Sequence, residues 1–434
     1  MTHIEVRTVA LDGTSAERLA AGGLEYRQVD AADDAALDGF IRAAARGFLE
    51  AEPSSEALVP ARAALEGRRL VGVYDDASPQ RDLPVATVCG WATPLTVPGG
   101  EVPMWAISDV TVAPTHRRRG VARAMLEGEL RAAADAGLAI AGLTVSEATI
   151  YSRYGFGPAT WQTRWKIDTR RAGWVGPEAE GSLQFLDQEG TAAALGELHE
   201  RTRRSRIGDI AAWPERWRQI AGASPGEPHA SRVRGVRFVD GSGAVRGAMA
   251  YRIVESDADW ARSTLDIRHL IGETAPARAA LWRFAIQHDL IGSVSADLRS
   301  VDEPLPWMLA DSRAAERKVA DHGWLRILDV PAALSTRTLA APLAITMRVT
   351  DPLGFADGVW LLEADGAGSC RVRAIGSDES DITLGVAELS SLYLGGASAR
   401  ALAEAGKVSG DADALGALDA ALRADSEPFL SISY

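Results

Sequence analysis

The spacing of hydrophobic residues in the first part of the chain alternates between helical and strand-like. Residues 35–49 (AALDGFIRAAARGFL) carry apolar side chains three and four positions apart, as an amphipathic helix does. Three apolar runs bounded by Gly, Pro or Asp then predict strands: RRLVGVYD, LPVATVCGWATPLTV and EVPMWAISDVTVAP. A second helical segment, VARAMLEGELRAAADAG, ends at Gly137 and is followed by the apolar run LAIAGLTVS. This order predicts an α/β domain over residues 1–165.

The same order of elements recurs further along the chain. A helical segment (WPERWRQI) precedes strands (RVRGVRFVD, AVRGAMAYRIV, STLDIRHLI), a helix (APARAALWRFAIQHDL) and a strand (GSVSADLR), predicting a second domain over residues 166–310. The loop before its long helix reads GETAP, so the second copy lacks a basic turn. Alternating runs such as LAITMRVTD and GVWLLEAD, followed by the helices SARALAEAG and DALGALDAALRAD, predict an α+β domain over residues 311–434. The length of 434 residues agrees with two to three domains.

Composition and charge exclude several classes of protein. The chain is 47% hydrophobic and 24% charged, which is typical of a folded protein, and its net charge of −13 argues against nonspecific nucleic-acid binding. Cys89 and Cys370 are far apart and predict buried thiols, and no pair of histidines has metal-ligand spacing, so no metal is predicted. The sequence shows no signal-peptide pattern and no apolar run of about 18 residues, which predicts a cytoplasmic protein without a membrane span.

Positive charge is concentrated in the turn between the third predicted strand and the second predicted helix, HRRRGVARA. The arginines of this turn are Arg117, Arg118, Arg119 and Arg123. The start of a helix has unsatisfied N–H groups and partial positive charge, Gly120 lets the backbone close around an anion, and Ala122 keeps the next turn open. We therefore predict a diphosphate site, for which the alternative is a solvated basic loop. His116, in the same turn, is expected to contact solvent or phosphate.

These residues carry a resemblance to a known family. Arg117-x-x-Gly120-x-Ala122 fits the Q/R-x-x-G-x-G/A signature of the GNAT acetyltransferases, which bind acetyl-CoA. The longer strings VTVAPTHRRRGVARAM and LTVSEATIYSRYGFGPAT resemble, more narrowly, the Eis family of actinobacterial N-acetyltransferases. The resemblance implies an α/β (α+β) chain of tandem GNAT domains, the second degenerate, plus a C-terminal domain similar to sterol carrier protein 2. It also implies acetyl-CoA as the donor and a homo-oligomer, commonly a hexamer.

The resemblance implies that three segments contact acetyl-CoA. The edge of the third strand faces the pantetheine and the thioester carbonyl through Val110, Thr111 and Val112. The turn wraps the pyrophosphate with Arg117, Arg118, Arg119, Gly120, Val121, Ala122 and Arg123. Ser146 and Glu147 lie beside the donor at the end of the next strand, and the alternative for this pair is an N-cap of the following helix.

Acetyl transfer to an amine requires a neutral amine, a polarised thioester carbonyl and a proton for the departing thiolate. A backbone N–H of Val110–Val112 is the predicted oxyanion donor. Tyr151 in IYSRYGFG is the predicted acid, because a phenol that titrates near 10 suits a departing thiolate. Tyr154 is the second candidate within this motif. The alternative for Tyr151 is a purely structural role as a tyrosine of the core. The resemblance implies that the α-carboxylate of Tyr434 is the base, and the apolar ending PFLSISY is typical of a docked end, which is also compatible with a structural role. Neither cysteine is close to these motifs in the sequence, so direct attack in a ternary complex is predicted.

The acceptor is the part that the sequence determines least. The resemblance implies amines of the aminoglycoside, polyamine or lysine type, in a small molecule or a peptide. Acidic residues in GFLEAEPSSE either line an entrance for cations or form a solvated helix end: Glu50, Glu52 and Glu56. Trp213 and Trp217 form either an aromatic wall of the pocket or internal packing.

A second hypothesis for the whole chain is a lipid or sterol carrier with a vestigial transferase domain. The first domain retains Arg117, Gly120, Ala122 and Tyr151 together, which favours the enzyme.

Overall fold

The chain is divided into two units that each collect separate segments of the sequence. The computed structural model describes residues 4–227, 229–256, 262–365, 368, 370–376 and 379–434. The first unit contains Met1–Thr160, Asp321–Pro428 and Ser433–Tyr434, and the second contains Trp161–Ala320 and Phe429–Ile432. The predicted domains 1–165, 166–310 and 311–434 remain predictions.

One of the two sheets of the first unit is a mixed sheet whose strands come from two distant parts of the sequence. Its strand order is β1-β2-β3-β4-β5-β14-β6, with the bounds β1 (Glu25–Gln28), β2 (Arg69–Tyr74), β3 (Ala86–Val97), β4 (Gly100–Val112), β5 (Ile140–Thr144), β6 (Gly157–Pro158) and β14 (Gly323–Ile327). Strand β14 lies between β5 and β6 and pairs antiparallel with both. The predicted strands of the first domain correspond to β2, β3, β4 and β5.

Helices cover both faces of this sheet. They are α1 (Gly13–Ala21), α2 (Asp34–Gly47), α3 (Ser55–Ala64), α4 (Val121–Asp135) and α5 (Ala148–Tyr151). Helix α4 buries Leu126 and Leu130 against Trp105 of β4 on one face. Helix α2 buries Phe40 against Cys89 of β3 in a separate cluster. Because side chains alternate along a strand, these two clusters lie on opposite faces of the sheet. The predicted helices 35–49 and 121–137 correspond to α2 and α4.

The C-terminal part of the first unit has its own sheet, in the order β17-β16-β15-β18-β19. Its elements are α10 (Val330–Ser335), β15 (Leu343–Thr350), β16 (Gly358–Ala364), β17 (Cys370–Ala374), β18 (Ile382–Gly385), α11 (Val386–Leu392), α12 (Ala399–Glu404), β19 (Val408–Gly410) and α13 (Ala412–Leu422). The fully buried Arg326 of β14 binds both carboxylate oxygens of Asp351 at 2.7 Å. Ser390 of α11 accepts a hydrogen bond from the Ile327 N–H at 3.1 Å. These bonds attach the C-terminal sheet to the first one.

The second unit repeats the sheet-and-helix plan. Its sheet has the order β13-β7-β12-β11-β10-β9-β8, with the bounds β7 (Trp161–Asp168), β8 (Gly181–Leu186), β9 (Val233–Asp240), β10 (Val245–Val254), β11 (Ser263–Gly272), β12 (Ile291–Arg299) and β13 (Ala315–Asp321). Its helices are α6 (Thr169–Ala172), α7 (Gln188–Arg203), α8 (Pro214–Ala221) and α9 (Ala275–Ile286). The buried Asp209 accepts hydrogen bonds from the N–H and the hydroxyl of Ser431. These bonds fix the segment Phe429–Ile432 in this unit.

In the described part of the chain, no helix combines the length and the apolar character needed to cross a membrane.

Candidate active site

The first sheet opens between β4 and β5. The two strands run parallel and pair only at Trp105 with Ala141 and at Ala106 with Gly142. Beyond this point β4 stays paired with β3, through Thr111 opposite Thr87 and Val112 opposite Ala86. Since alternate N–H and C=O groups of a strand point to opposite edges, Val110–Val112 present backbone groups to the gap on the β5 side. The predicted donor strand therefore has a free edge.

The turn that leads into α4 combines left-handed backbone with free amide groups. Arg118 has φ 63° and Gly120 has φ 77°, so both lie in the left-handed region. The first backbone bond of the helix runs from the N–H of Ala124 to the carbonyl of Gly120 at 3.0 Å. The N–H groups of Val121, Ala122 and Arg123 consequently have no helical acceptor. Free amides at a positive helix end fit a phosphate group.

The arginines of this turn differ in what they contact. Arg118 is exposed, whereas Arg119 donates to the carbonyl of Gly22 at 2.9 Å. Arg117 makes a long bond of 3.4 Å to the carbonyl of Val112. Arg123 binds Glu127 one turn along α4, at 2.6 Å. Glu127 therefore partly neutralises the positive charge of Arg123. The Arg-x-x-x-Glu spacing of a helix predicts this ion pair, but the sequence analysis did not identify it.

His116 does not face solvent or phosphate, so that expectation is wrong. Its side chain is buried, Nε2 lies 3.0 Å from the Asp75 carboxylate, and Nδ1 lies 2.8 Å from the Thr115 hydroxyl. The 3₁₀ turn Pro114–His116 directs the ring inward. The hydrogen bond from His116 lowers the pKa of Asp75. His116 therefore fixes the base of the turn.

Tyr151 lies after β5, beside the predicted pair Ser146–Glu147. It is 6% exposed, and its ring meets Phe156 edge-on with centroids 6.2 Å apart. Burial raises the pKa of Tyr151, a hydrogen bond with Ser146 lowers it, and the charge of Glu147 raises it. Glu147 occupies the N-cap position of α5, but its side chain makes no capping bond. The N-cap alternative for this pair is therefore not realised by the Glu147 side chain.

Tyr154 faces different neighbours. Burial raises its pKa, the charge of Glu127 on α4 raises it further, and Arg123 and Arg153 lower it. Its carbonyl oxygen accepts a hydrogen bond from Arg326 at 2.7 Å. Tyr154 is thus associated with α4 and β14, whereas Tyr151 is associated with the end of β5.

Tyr434 lies at the end of β5. Its N–H is 3.3 Å from Oγ1 of Thr144, the last residue of β5, and the same hydroxyl donates to its main-chain oxygen. Its ring meets Trp91 of β3 edge-on, with centroids 5.2 Å apart. Burial raises the pKa of the Tyr434 phenol, which therefore stays neutral. The first unit brings together the free edge of β4, the segment after β5, and Tyr434.

The predicted buried thiols are confirmed, since Cys89 and Cys370 are both buried and unpaired. Cys89 lies opposite Ser108 of β4, close to the site, which the sequence positions did not indicate. Burial raises the pKa of the Cys89 thiol to about 12. A thiol with this pKa is not a nucleophile at neutral pH. Among the described residues, no group of three or more His, Cys, Asp or Glu side chains is arranged to hold a metal ion.

The acidic segment after α2 borders a cavity in the first unit. Glu50 and Glu52 line this cavity of 860 Å³, which runs along α2 and residues 79–83. Glu56 is exposed in the first turn of α3. Glu52 binds Arg42, and Arg42, Arg46 and Arg81 line the same cavity, so carboxylates and guanidinium groups share its wall.

The two tryptophans of the second unit differ in burial. Trp217 is 5% exposed and lies between His199 and His269, with ring centroids 4.9 Å and 5.3 Å away. Trp213 is the half-buried N-cap residue of α8. Trp217 is therefore internal packing of the second unit, not a wall of a pocket.

Comparison with known proteins gives matches along most of the chain. Two family models described as acetyltransferase (GNAT) domains match residues 28–159 and 209–327, and a sterol carrier protein domain matches residues 330–431. An uncharacterized N-acetyltransferase of Streptomyces griseus is 36% identical over 403 residues, covering 90% of this chain and 95% of that protein. The N-acetyltransferase Eis of Mycobacterium tuberculosis is 33% identical over 346 residues, covering 76% and 81%.

The crystal structure of Eis1 from Mycobacterium abscessus is similar with a TM-score of 0.79 and 28% identity, covering 94% of this chain and 100% of that one. The predicted fold class, tandem GNAT domains followed by a sterol-carrier-like domain, is confirmed.

Proposed function

The chain belongs to the Eis-like GNAT N-acetyltransferases, and we propose that it transfers the acetyl group of acetyl-CoA to an amine of a small molecule or peptide by direct attack in a ternary complex. The observation that carries this proposal is the convergence of three features in the first unit: the free edge of β4, the anion-binding turn, and the buried Tyr151.

Acetyl-CoA supplies a thioester carbonyl and a diphosphate. The free amides of Val121, Ala122 and Arg123, together with the left-handed Gly120, suit the diphosphate. The remaining predicted donor contacts are Arg117, Arg118, Arg119, Val110, Thr111, Val112, Ser146 and Glu147. A backbone N–H of the free β4 edge would polarise the thioester carbonyl as it gains negative charge.

Tyr151 would protonate the departing thiolate. Its raised pKa keeps the phenol protonated at neutral pH, so a proton is available when the thiolate forms. Tyr154 is the less suitable donor, because its neighbours Glu127 and Arg123 belong to the phosphate end of α4.

Tyr434 would receive the proton of the amine through its main-chain carboxylate. Thr144 holds the main chain of Tyr434 at the end of β5, and Trp91 holds its ring. A solvent-exposed terminal carboxylate has a pKa near 3.5 and is a weak base. The carboxylate of Tyr434 can act as the base only where burial raises this pKa, and the contacts with Thr144 and Trp91 favour such burial. The high pKa of the nearby Cys89 disfavours an acetyl-cysteine route and so supports the proposal of direct attack.

The lipid-carrier alternative is not favoured, because the first unit retains the donor turn and Tyr151 together. By resemblance we expect a cytoplasmic homo-oligomer, a hexamer, which sedimentation of the purified chain would measure.

Release of CoA thiol from acetyl-CoA tests the proposal, with aminoglycosides, polyamines and lysine peptides as acceptors. We expect turnover with at least one amine, and its strong reduction in Tyr151→Phe and in a variant lengthened by two residues after Tyr434. Full activity of the lengthened variant would remove Tyr434 from the chemistry. Binding of acetyl-CoA without thiol release by any amine would contradict the proposed acceptor class.

A further inference from the structure

The segment Phe429–Ile432, here called the tail, is buried in the second unit. All four of its residues are at most 6% exposed. The N–H of Phe429 donates to the carbonyl of Ile207 at 2.8 Å, and the guanidinium of Arg206 lies 5.9 Å from the centroid of the Phe429 ring. A chain end that makes such contacts is tied down and does not fray. Residues 206–209 of the second unit therefore bind the tail.

Asp209 holds the tail with a fully buried carboxylate. The N–H of Ser431 donates to its Oδ1 at 3.1 Å, and the hydroxyl of Ser431 lies 3.0 Å from Oδ1 and 2.9 Å from Oδ2. The N–H of Ile210 and the guanidinium of Arg206 also donate to this carboxylate, at 3.2 Å and 2.8 Å. Because a buried carboxylate is costly unless its oxygens are hydrogen-bonded, the docked tail and the Asp209 carboxylate stabilise each other.

His199 fixes the direction of the hydrogen bond from Ser431. Nε2 of His199 lies 2.9 Å from the carbonyl of Ile210, which can only accept, so Nε2 carries the proton of the ring. Burial lowers the pKa of His199, so the ring is neutral at neutral pH and Nδ1 has no proton. Nδ1 is 3.4 Å from the Ser431 hydroxyl, whereas the Asp209 carboxylate is 2.9 Å away. The hydroxyl proton of Ser431 therefore goes to Asp209.

The tail continues directly into Tyr434. Tyr434 is the third residue after Ser431, so the Cα atoms of the two are at most about 11 Å apart. In the first unit, the N–H of Tyr434 is 3.3 Å from Oγ1 of Thr144. Each of these contacts lies within one unit, and the peptide bond between Ile432 and Ser433 connects the two units. Loss of the bonds to Ser431 would free the residues before Tyr434, and ordering them again costs conformational entropy.

We propose that Asp209 is a positioning residue for the reaction: through Ser431 it holds the tail, and the tail keeps the carboxylate of Tyr434 at the end of β5. The second unit then takes part in the reaction although its loop GETAP lacks the basic donor turn. Asp209 acts only through the tail and contacts neither acetyl-CoA nor the amine. This inference rests on the proposed acetyl transfer and on Tyr434 as its base.

Steady-state release of thiol from acetyl-CoA tests the inference. The acceptors are spermidine, neomycin and a lysine tripeptide, and each variant is measured with the amine that the wild-type enzyme uses best. Asp209→Asn removes the charge of the carboxylate. Ser431→Ala removes only the hydroxyl, so it tests the same bond if the Asp209 variant fails to fold. We expect each substitution to lower kcat about tenfold while the KM of acetyl-CoA stays within about twofold.

The variant lengthened by two residues after Tyr434 distinguishes positioning from a role in folding. The added residues move the terminal carboxylate out of its place, so Asp209→Asn should cause no further loss of kcat in this background. Carboxypeptidase A gives a readout that does not depend on activity. It should release Tyr434 about fivefold faster or more from Asp209→Asn than from the wild-type chain, because an undocked tail is accessible to the protease.

Asp240→Asn is the matched control in the same unit. The Asp240 carboxylate also accepts hydrogen bonds from the N–H and the hydroxyl of a serine, Ser242, and from the guanidinium of Arg246. These bonds close the turn between β9 and β10 and do not involve the tail. Asp240→Asn should therefore leave both kcat and the rate of tyrosine release unchanged.

Unchanged kcat in Asp209→Asn and Ser431→Ala would overturn the inference. A loss that multiplies with that of the lengthened variant, or an equal rise in the KM of acetyl-CoA, would also overturn it, because both results indicate a role in folding. Full activity of the lengthened variant would remove Tyr434 from the chemistry and the inference with it, while acetyl transfer itself would stand. A wild-type chain inactive with every amine refutes the proposed function.

Discussion

The ring of Tyr434 meets the ring of Trp91 edge-on, with centroids 5.2 Å apart. Trp91 also carries the guanidinium of Arg68 on its face at 3.9 Å. One tryptophan of β3 therefore contacts both Tyr434, the last residue of the sequence, and Arg68. The edge-on aromatic contact and the stacked cation each contribute about 1 kcal/mol in typical cases.

Removal of the Trp91 side chain should make the enzyme use the amine acceptor less efficiently. We expect Trp91→Ala to lower kcat/KM for the amine about tenfold, because about 1–2 kcal/mol of contact to Tyr434 and Arg68 is lost. KM for acetyl-CoA should change little, since the donor turn is elsewhere in the unit. Trp307→Ala is the control, because Trp307 is 87% exposed. A loss confined to the KM of acetyl-CoA would contradict the placement of Tyr434.

Alanine variants of the two glycines that flank α4 distinguish an effect on acetyl-CoA binding from an effect on stability. Gly120 and Gly137 both have φ 77°, and a Cβ on either would meet nothing within 4 Å. Alanine at either position costs roughly 1–2 kcal/mol of backbone strain. Gly120→Ala should also raise KM for acetyl-CoA about tenfold, because relief of the strain moves the amides of the turn. Calorimetric binding of acetyl-CoA to the two variants measures the difference; equal affinities would contradict the anion role of the turn.

The pH dependence of kcat tests Tyr151 as the acid. Burial raises its pKa above the ordinary value of 10.0, so the protonated form that donates persists across the neutral and mildly alkaline range. We expect no decline of kcat attributable to this group below about pH 10. Tyr151→Phe should lower kcat about a hundredfold or more, whereas Tyr154→Phe should change it only slightly. The reverse order of the two variants would assign the proton to Tyr154.

The second unit should lose stability in mild acid because of a buried histidine. Burial lowers the pKa of His269 well below 6.5, and Arg299, His199, Arg206 and Arg216 lower it further. The unfolded chain then binds a proton that the folded chain excludes, so stability falls as the pH drops below about 6.5, by up to about 1.4 kcal/mol per pH unit.

His269→Leu should therefore reduce the acid-induced loss of thermal stability. We expect the fall in Tm between about pH 7.5 and about pH 5.5 to be smaller in this variant than in the wild-type chain. His288→Leu is the control, because His288 is only half-buried in the same unit, whereas His269 is 6% exposed. An identical fall in all three proteins would show that other groups govern the acid sensitivity.

Local patterns in the sequence predicted the elements that frame the site. Helical spacing placed α2 and α4, and bounded apolar runs placed β2 to β5, because each of these elements buries one face against a neighbouring layer. The Arg-rich turn with Gly120 was evident because its chemistry lies within a few consecutive residues. Tyr151 and Ser146 are also close in sequence, so their proximity followed from the motif.

Long-range pairing and local backbone conformation could not be predicted in this way. Strand β14 enters the first sheet beside β5 from more than 170 residues further along the sequence, and no local pattern encodes that pairing. The inward orientation of His116 depends on Asp75, which follows a different strand. The left-handed conformation of Asp109 in β4 coincides with a shift in the register of β3 and β4, which no local sequence pattern encodes.

The role of the turn before α4 is tested most directly by comparing acetyl-CoA with acetyl-pantetheine, a donor that lacks the diphosphate. The wild-type enzyme should use acetyl-CoA with a kcat/KM about a hundredfold higher, since charge-assisted hydrogen bonds to the diphosphate each contribute about 1.5–3 kcal/mol. Arg118→Ala, which removes an exposed arginine of the turn, should lower kcat/KM for acetyl-CoA about tenfold and leave acetyl-pantetheine unaffected. Equal use of both donors by the wild-type enzyme, or an equal loss for both in Arg118→Ala, would contradict the assignment of this turn as the diphosphate site.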